Sequence, residues 1–188
     1  MHGWNPEGYA ELLGIKLPEK IRLAPRTLSA RLDRILATVA ALSTRLDAAR
    51  FAWKPPERDR SVGDLAYHAF RVGLSFIDAV DRDDLPESWF GELAPAELRD
   101  GPALARYGEL VRARLTGWFE GAGDDDFTRI VHTYYGPQGA HELLERTTWH
   151  AGQHLRQLYD LAARLGIDPP VPLAAELFDG LPMPTSVW

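Results

Sequence analysis

The sequence contains no cysteine. Disulfide bridges, a thiolate nucleophile and a cysteine-ligated zinc site are therefore excluded. Any metal site has to be built from His, Asp or Glu, and a reaction that uses a thiol has to receive it from a small molecule. Positive charge is also scarce. Lys and Arg number 21 against 27 Asp and Glu, for a net charge of −6. That balance argues against nucleic-acid binding, which leaves a basic footprint, and against docking to an anionic membrane. Long apolar runs are missing too: none approaches the roughly 20 residues needed to cross a bilayer. The opening Met1-His2-Gly3-Trp4-Asn5-Pro6 lacks the apolar core of a secretory signal. The expected location is the cytoplasm, with neither membrane nor nucleic acid as partner.

What is present suits an ordinary globular chain. At 188 residues, 45% of them hydrophobic and 26% charged, it is expected to form one domain over residues 1–188 with a sizeable core. Four stretches carry helical periodicity. The first runs from about Pro25 to Arg50, with Leu28, Leu32, Ile35, Leu36, Val39, Leu42 and Leu46 at three- and four-residue steps. Trp53-Lys54-Pro55-Pro56 stops it. The second runs from Ser61 to about Asp81, opened by Ser61-Val62-Gly63-Asp64, which has the spacing of a capping box with Asp in the carboxylate position. The third runs from about Gly101 to Glu120, with Leu104, Tyr107, Leu110, Val111, Leu115, Trp118 and Phe119 as its expected buried side. The fourth runs from about Ala140 to Leu165, with Gly166 as its stop.

Between these lie an acidic, Pro- and Gly-containing connection over 82–100 and a β-leaning segment, Phe127 to Tyr135, which predicts a short hairpin or an ordered loop. Pro6 to Gly14 could form one short helix. The expected fold class is all-α: a four-helix bundle with long crossover connections, wrapped by an N-terminal segment and a proline-rich C-terminal tail. Trp118, Phe119, Trp149 and Phe76 are expected in the core.

The residues that carry chemistry are histidines. His150 and His154 stand four apart in the fourth helix, one turn apart on one face, so both nitrogens can reach one ion at about 2.0–2.1 Å. The same spacing fits a chance surface pair or two satisfied polar groups. His68 lies on an otherwise apolar stripe between Leu65 and Val72, where a lone His is usually a hydrogen-bonded core residue. Periodicity does not say whether it faces the pair. His141-Glu142-Leu143-Leu144-Glu145 only imitates a zincin helix, because the last position is Glu where a second His is needed. His141 reads as a helix-start residue, His132 as a loop-stabilising one and His2 as incidental.

Asp64-Leu65-Ala66-Tyr67-His68 and His150-Ala151-Gly152-Gln153-His154-Leu155-Arg156-Gln157-Leu158 together resemble the DinB/YfiT-like superfamily. These are four-helix bundles regarded as metalloenzymes, with a His on the second helix and His-x-x-x-His on the fourth. The likeness covers about residues 25–165. Where the family often has His-Arg-Gly-Gln, this chain has His154-Leu155-Arg156-Gln157, so the Gln matches and the Arg is displaced by one.

The resemblance implies that His68, His150 and His154 ligate one divalent metal ion, with zinc or nickel favoured and iron, cobalt or manganese also compatible with imidazole. Three ligands leave positions open for water or a small-molecule thiol, which implies hydrolase or thiol-dependent transferase chemistry. Two alternatives stand beside it: a non-catalytic metal-binding or stress-associated protein, and a plain scaffold whose histidines bind nothing. Gln157, Arg146 and Thr147 are weak candidates for substrate contact, with helix-packing polar groups as the plainer reading. Asp64 could orient a ligand, though capping is its plainer role. A homodimer paired through exposed helix faces would suit a bundle of this kind. The substrate cannot be read from the sequence.

Overall fold

The computed structural model describes residues 22–188. The short helix expected over Pro6 to Gly14, and His2, lie outside them. Six helices follow in order: α1 (Pro25–Ser43), α2 (Ala48–Ala52), α3 (Val62–Arg82), α4 (Gly101–Gly121), α5 (Asp124–Thr128) and α6 (Ala140–Arg164). Three very short strands, β1 (Asp84–Leu85), β2 (Ile130–Thr133) and β3 (Gln138–Gly139), join in the order β1-β2-β3. The first pair is parallel and the second antiparallel.

The fold is all-α, and α1, α3, α4 and α6 form the core bundle. α1 packs mainly against α4 and α6, and α3 packs against the same two, while α1 and α3 meet less extensively. The ring order is therefore α1–α4–α3–α6, and helices consecutive in the chain are not always neighbours. The long connections over 82–100 and 122–139 make these crossings. α3 is the innermost helix. Nearly every side chain from Val62 to Val80 is buried, including Phe70 and Phe76, because α2, α4, α6 and the 82–100 connection cover it from several sides.

Local chemistry sets the helix ends. Ser61 Oγ accepts from the Asp64 backbone N–H at 3.0 Å, as the capping spacing predicts. Asp100 caps α4 in the same way through the Ala103 N–H. At the end of α6 the Ile167 N–H reaches the Ala162 carbonyl and the Gly166 N–H the Ala163 carbonyl. This two-bond closure needs the left-handed conformation that Gly166 supplies at φ 63°.

The structure corrects three expectations. The first helix does not run to Arg50: α1 ends at Ser43, and a new turn, α2, starts after Asp47, whose carboxylate accepts from the Arg50 N–H. Leu46 keeps the apolar period across the break because it is buried as a loop residue. Leu110 is not on the buried side of α4, being 71% exposed. The inner face is centred on Gly101, Leu104, Gly108, Val111 and Leu115, so small residues rather than Leu110 make the close approach. Within the β-leaning segment Phe127 and Thr128 belong to α5, and only Ile130–Thr133 is strand, in a hairpin with β3. Of the aromatics expected in the core, Phe76 is fully buried, whereas Trp118, Phe119 and Trp149 are half-buried against its edge.

The tail after Ile167 has one 3-10 turn, Ala175–Leu177, and otherwise follows α1 and α6 through side chain–backbone bonds. Arg156 Nη1 donates to the Pro184 carbonyl and Gln153 Nε2 to that of Val187. Trp188 Nε1 donates to Asp160 Oδ2 at 2.8 Å.

Candidate metal centre

α3 and α6 pack side by side, and their contact places His68 opposite His150 and His154. One candidate ligand atom from each residue lies within 4.8 Å of the others. The ring centroids are 4.8 Å apart for His68–His154, 5.7 Å for His68–His150 and 4.6 Å for His150–His154. His68 is buried and the two α6 histidines are partly buried. Among the described residues no carboxylate belongs to the cluster.

The hydrogen bonding is asymmetric. His154 Nδ1–H donates to Gln157 Oε1 at 2.8 Å, which leaves Nε2 with its lone pair free. That Nε2 is buried with no hydrogen-bond partner among the described residues, and so is His68 Nδ1. A buried polar atom left unpaired costs about 1–3 kcal/mol, so two such nitrogens in one cluster leave a gap that an electron-pair acceptor would fill. A divalent cation fits that donor set, because neutral imidazole is a metal ligand.

Burial is the main reason these imidazoles resist protonation. It pushes His68 down to about 2, His150 to about 3 and His154 to about 4 from an ordinary value of 6.5. Positive neighbours act in the same direction, with Arg60 affecting all three; only the Gln157 bond to His154 opposes them. At neutral pH the cluster is uncharged and in the form that ligates.

Two kinds of wall surround it. The apolar wall is Phe90, with its ring 6.1 Å from His68 and 6.0 Å from His150, backed by Tyr134 and joined by Trp149 at 5.8 Å from His150. Phe90 comes from the 82–100 connection, which is tied over the start of α3 by two bonds. The Phe90 carbonyl accepts from Arg60 Nη2 at 2.9 Å, and the Ala94 N–H donates to Asp64 Oδ1 at 3.0 Å. On the other side a cavity of about 370 Å³ reaches His154 and Gln157, bounded by Pro55, Arg58, Asp59, Arg60, Leu65, Leu161 and Trp188.

The weaker candidates have varied placements. Gln157 is buried, orients His154 and donates to the Val187 carbonyl. Arg146 lies over the Tyr135 ring at 4.3 Å, and Thr147 is buried; neither lines the cavity. The Asp64 carboxylate is engaged by Ser61 and Ala94. His132 is exposed and pairs with Asp83, while His141 donates to the Leu23 carbonyl at the start of α6. Arg156 holds the tail. Sequence reasoning missed Arg58, Arg60, Phe90 and Trp188. The one available signal was the pair of arginines just before the Ser61 cap.

An all-α bundle with an inward-facing three-histidine cluster defines the class. The model of the DinB superfamily matches residues 28–158, and the chain belongs to that superfamily. Among solved structures, the chain is similar to a DinB-like protein, YjoA, from Bacillus subtilis, with a TM-score of 0.62 at 15% identity over 78% of this chain and 96% of that one. At that identity the likeness concerns the fold. No curated protein matches the chain.

Proposed function

We propose that the chain is a metal-dependent enzyme in which His68, His150 and His154 hold one divalent ion, zinc or nickel, whose remaining positions take a small-molecule thiol or water for transferase or hydrolase chemistry. The observation that carries this reading is the pair of buried, partnerless nitrogens, His68 Nδ1 and His154 Nε2, in a cluster whose ligand atoms converge within 4.8 Å. Three protein ligands are the pattern of catalytic rather than structural sites. When bound, such an ion supplies Lewis acidity that brings the pKa of a thiol or water toward neutrality. Gln157 fixes the tautomer of His154, Phe90 and Trp149 shield one flank from water, and the cavity beside Gln157 admits the substrate. With three imidazoles engaged, none is free to serve as a general base.

The chain is read as one domain acting in the cytoplasm, with a homodimer as its assembly, which sedimentation would test.

Protein purified without a His tag should contain about one ion per chain, and His150→Ala should contain none. Turnover of electrophiles with low-molecular-weight thiols, or of hydrolysable esters and amides, should require the ion. Failure to take up any supplied divalent ion would sink the reading. One ion per chain with no turnover would favour the non-catalytic metal-binding alternative.

A further inference from the structure

The cavity that opens onto His154 is lined by two arginines that form no ion pair among the described residues. Arg60 is half-buried, and its only hydrogen bond among the described residues is from Nη2 to the Phe90 carbonyl. A guanidinium carries five N–H donors, and Nε and Nη1 are not engaged by any described residue. Arg58 lies over the Trp188 ring at 5.2 Å and makes no ion pair among the described residues. Asp64, which acts on Arg60 at longer range, is engaged by Ser61 and Ala94, and the other nearby acids have partners of their own. Asp59 pairs with Lys54 at 2.7 Å, Glu57 pairs with Arg164, and Asp160 is shared by Arg164 and Trp188 Nε1. The same cavity is also lined by His154 and Gln157.

From this juxtaposition we infer that the site selects a small molecule bearing an oxyanion, a carboxylate or a phosphate. Arg60, helped by Arg58, holds that group while the opposite end of the molecule reaches the histidine cluster. The inference rests on the metal-site reading and adds the substrate class to it. A planar guanidinium matches a carboxylate or phosphate through two parallel hydrogen bonds, which an ammonium or a neutral amide cannot copy. Partial desolvation of Arg60 strengthens such a pair, because the low-dielectric surroundings screen it less. The cavity's volume of about 370 Å³ lies in the usual range for small-molecule sites, about 300–1,000 Å³. The Trp188 ring and Leu65 supply apolar sides between the two polar ends.

The test uses nickel-loaded full-length protein and two thiols of similar size, 3-mercaptopropionate and its neutral methyl ester. Each is titrated by the thiolate-to-nickel absorption band. The wild type should bind the acid at least about 10-fold more tightly than the ester, a difference of about 1.4 kcal/mol. Arg60→Gln should reduce that ratio several-fold by weakening the acid alone, Arg60→Lys should retain part of it, and Arg58→Gln should reduce it less. Replacing the carboxylate by 2-mercaptoethyl phosphate should keep the preference and its dependence on Arg60. Circular dichroism checks that Arg60→Gln folds; if it does not, Arg58→Gln decides. Equal ratios in the wild type and every folded Arg variant would overturn the inference, since any preference left would come from the ion's charge. Failure of the protein to load nickel at all would instead overturn the metal-site reading.

Discussion

At the residue scale the informative atoms are nitrogens. The sequence offers six histidines, and only tertiary structure separates the three that converge from His132 and His141, whose rings are satisfied locally. The His150/His154 spacing was legible because helical geometry is local. His68 was legible only through the family resemblance, because by periodicity a His between Leu65 and Val72 looks the same whether it bonds a carbonyl or faces another helix. Gln157 was visible as a residue on the right face, but its bond to His154 Nδ1 was not.

That bond predicts that Gln157→Leu will lower divalent-ion affinity by about 10–100-fold, measured by competition with a chromophoric chelator. Arg156→Ala, which removes bonds to the tail and to Gln153 but none to the histidines, should leave the affinity near wild type.

The burial of the three imidazoles also has a pH consequence. Their folded values, about 2, 3 and 4, lie below the ordinary 6.5, so on acidification the unfolded chain takes up protons before the folded one does. Their contribution to stability is complete above pH 6.5 and is lost as pH falls from there toward those folded values. The melting temperature of metal-free protein should therefore decline from pH 6.5 downward. Replacing His154 by Leu should flatten that decline, and an unchanged slope would contradict the assignment.

At the element scale, helix positions followed from caps and periods where these were local. Ser61 starts α3 and Gly166 stops α6 because the side chain or the φ value closes the end without outside help. Asp47 had the same power to start a turn, and the continuous Leu28-to-Leu46 period concealed it. Leu110 was misplaced because periodicity favours large apolar residues, whereas α4 approaches its neighbours through glycines. A Cβ on Gly101 would land on the Ser43 carbonyl oxygen, and one on Gly108 would enter the Phe70 ring. Gly101→Ala should destabilise the protein by about 1–3 kcal/mol through this overpacking, read as a lower denaturation midpoint with an unchanged slope. Because the clash is with backbone, repacking of side chains offers little relief.

At the scale of the whole molecule, the ring order α1–α4–α3–α6 creates the site, since it makes α3 and α6 neighbours although 57 residues separate their facing ends (Arg82 and Ala140 bound the gap). That order depends on long-range packing, so the composition and periods of the chain permit it without specifying it. The same packing brings Arg60 and Trp188, from a connection and the C-terminal tail, to one cavity and Phe90, from another connection, against the opposite side of the histidine cluster.

An ion held between α3 and α6 would link these parts, and a ligand that binds only the folded state stabilises it. Zinc or nickel at a hundredfold excess over its dissociation constant should add about 2.7 kcal/mol. For a chain of this length that corresponds to a rise of about 5–10 °C in melting temperature. His150→Ala should show no such rise.

If histidines from two different helices share one ion, X-ray absorption of the nickel-loaded, untagged protein will show three imidazole ligands at about 2.0–2.1 Å, falling to two in His68→Ala with the fold intact. Absence of imidazole scattering, or an imidazole count unchanged by His68→Ala, would contradict it.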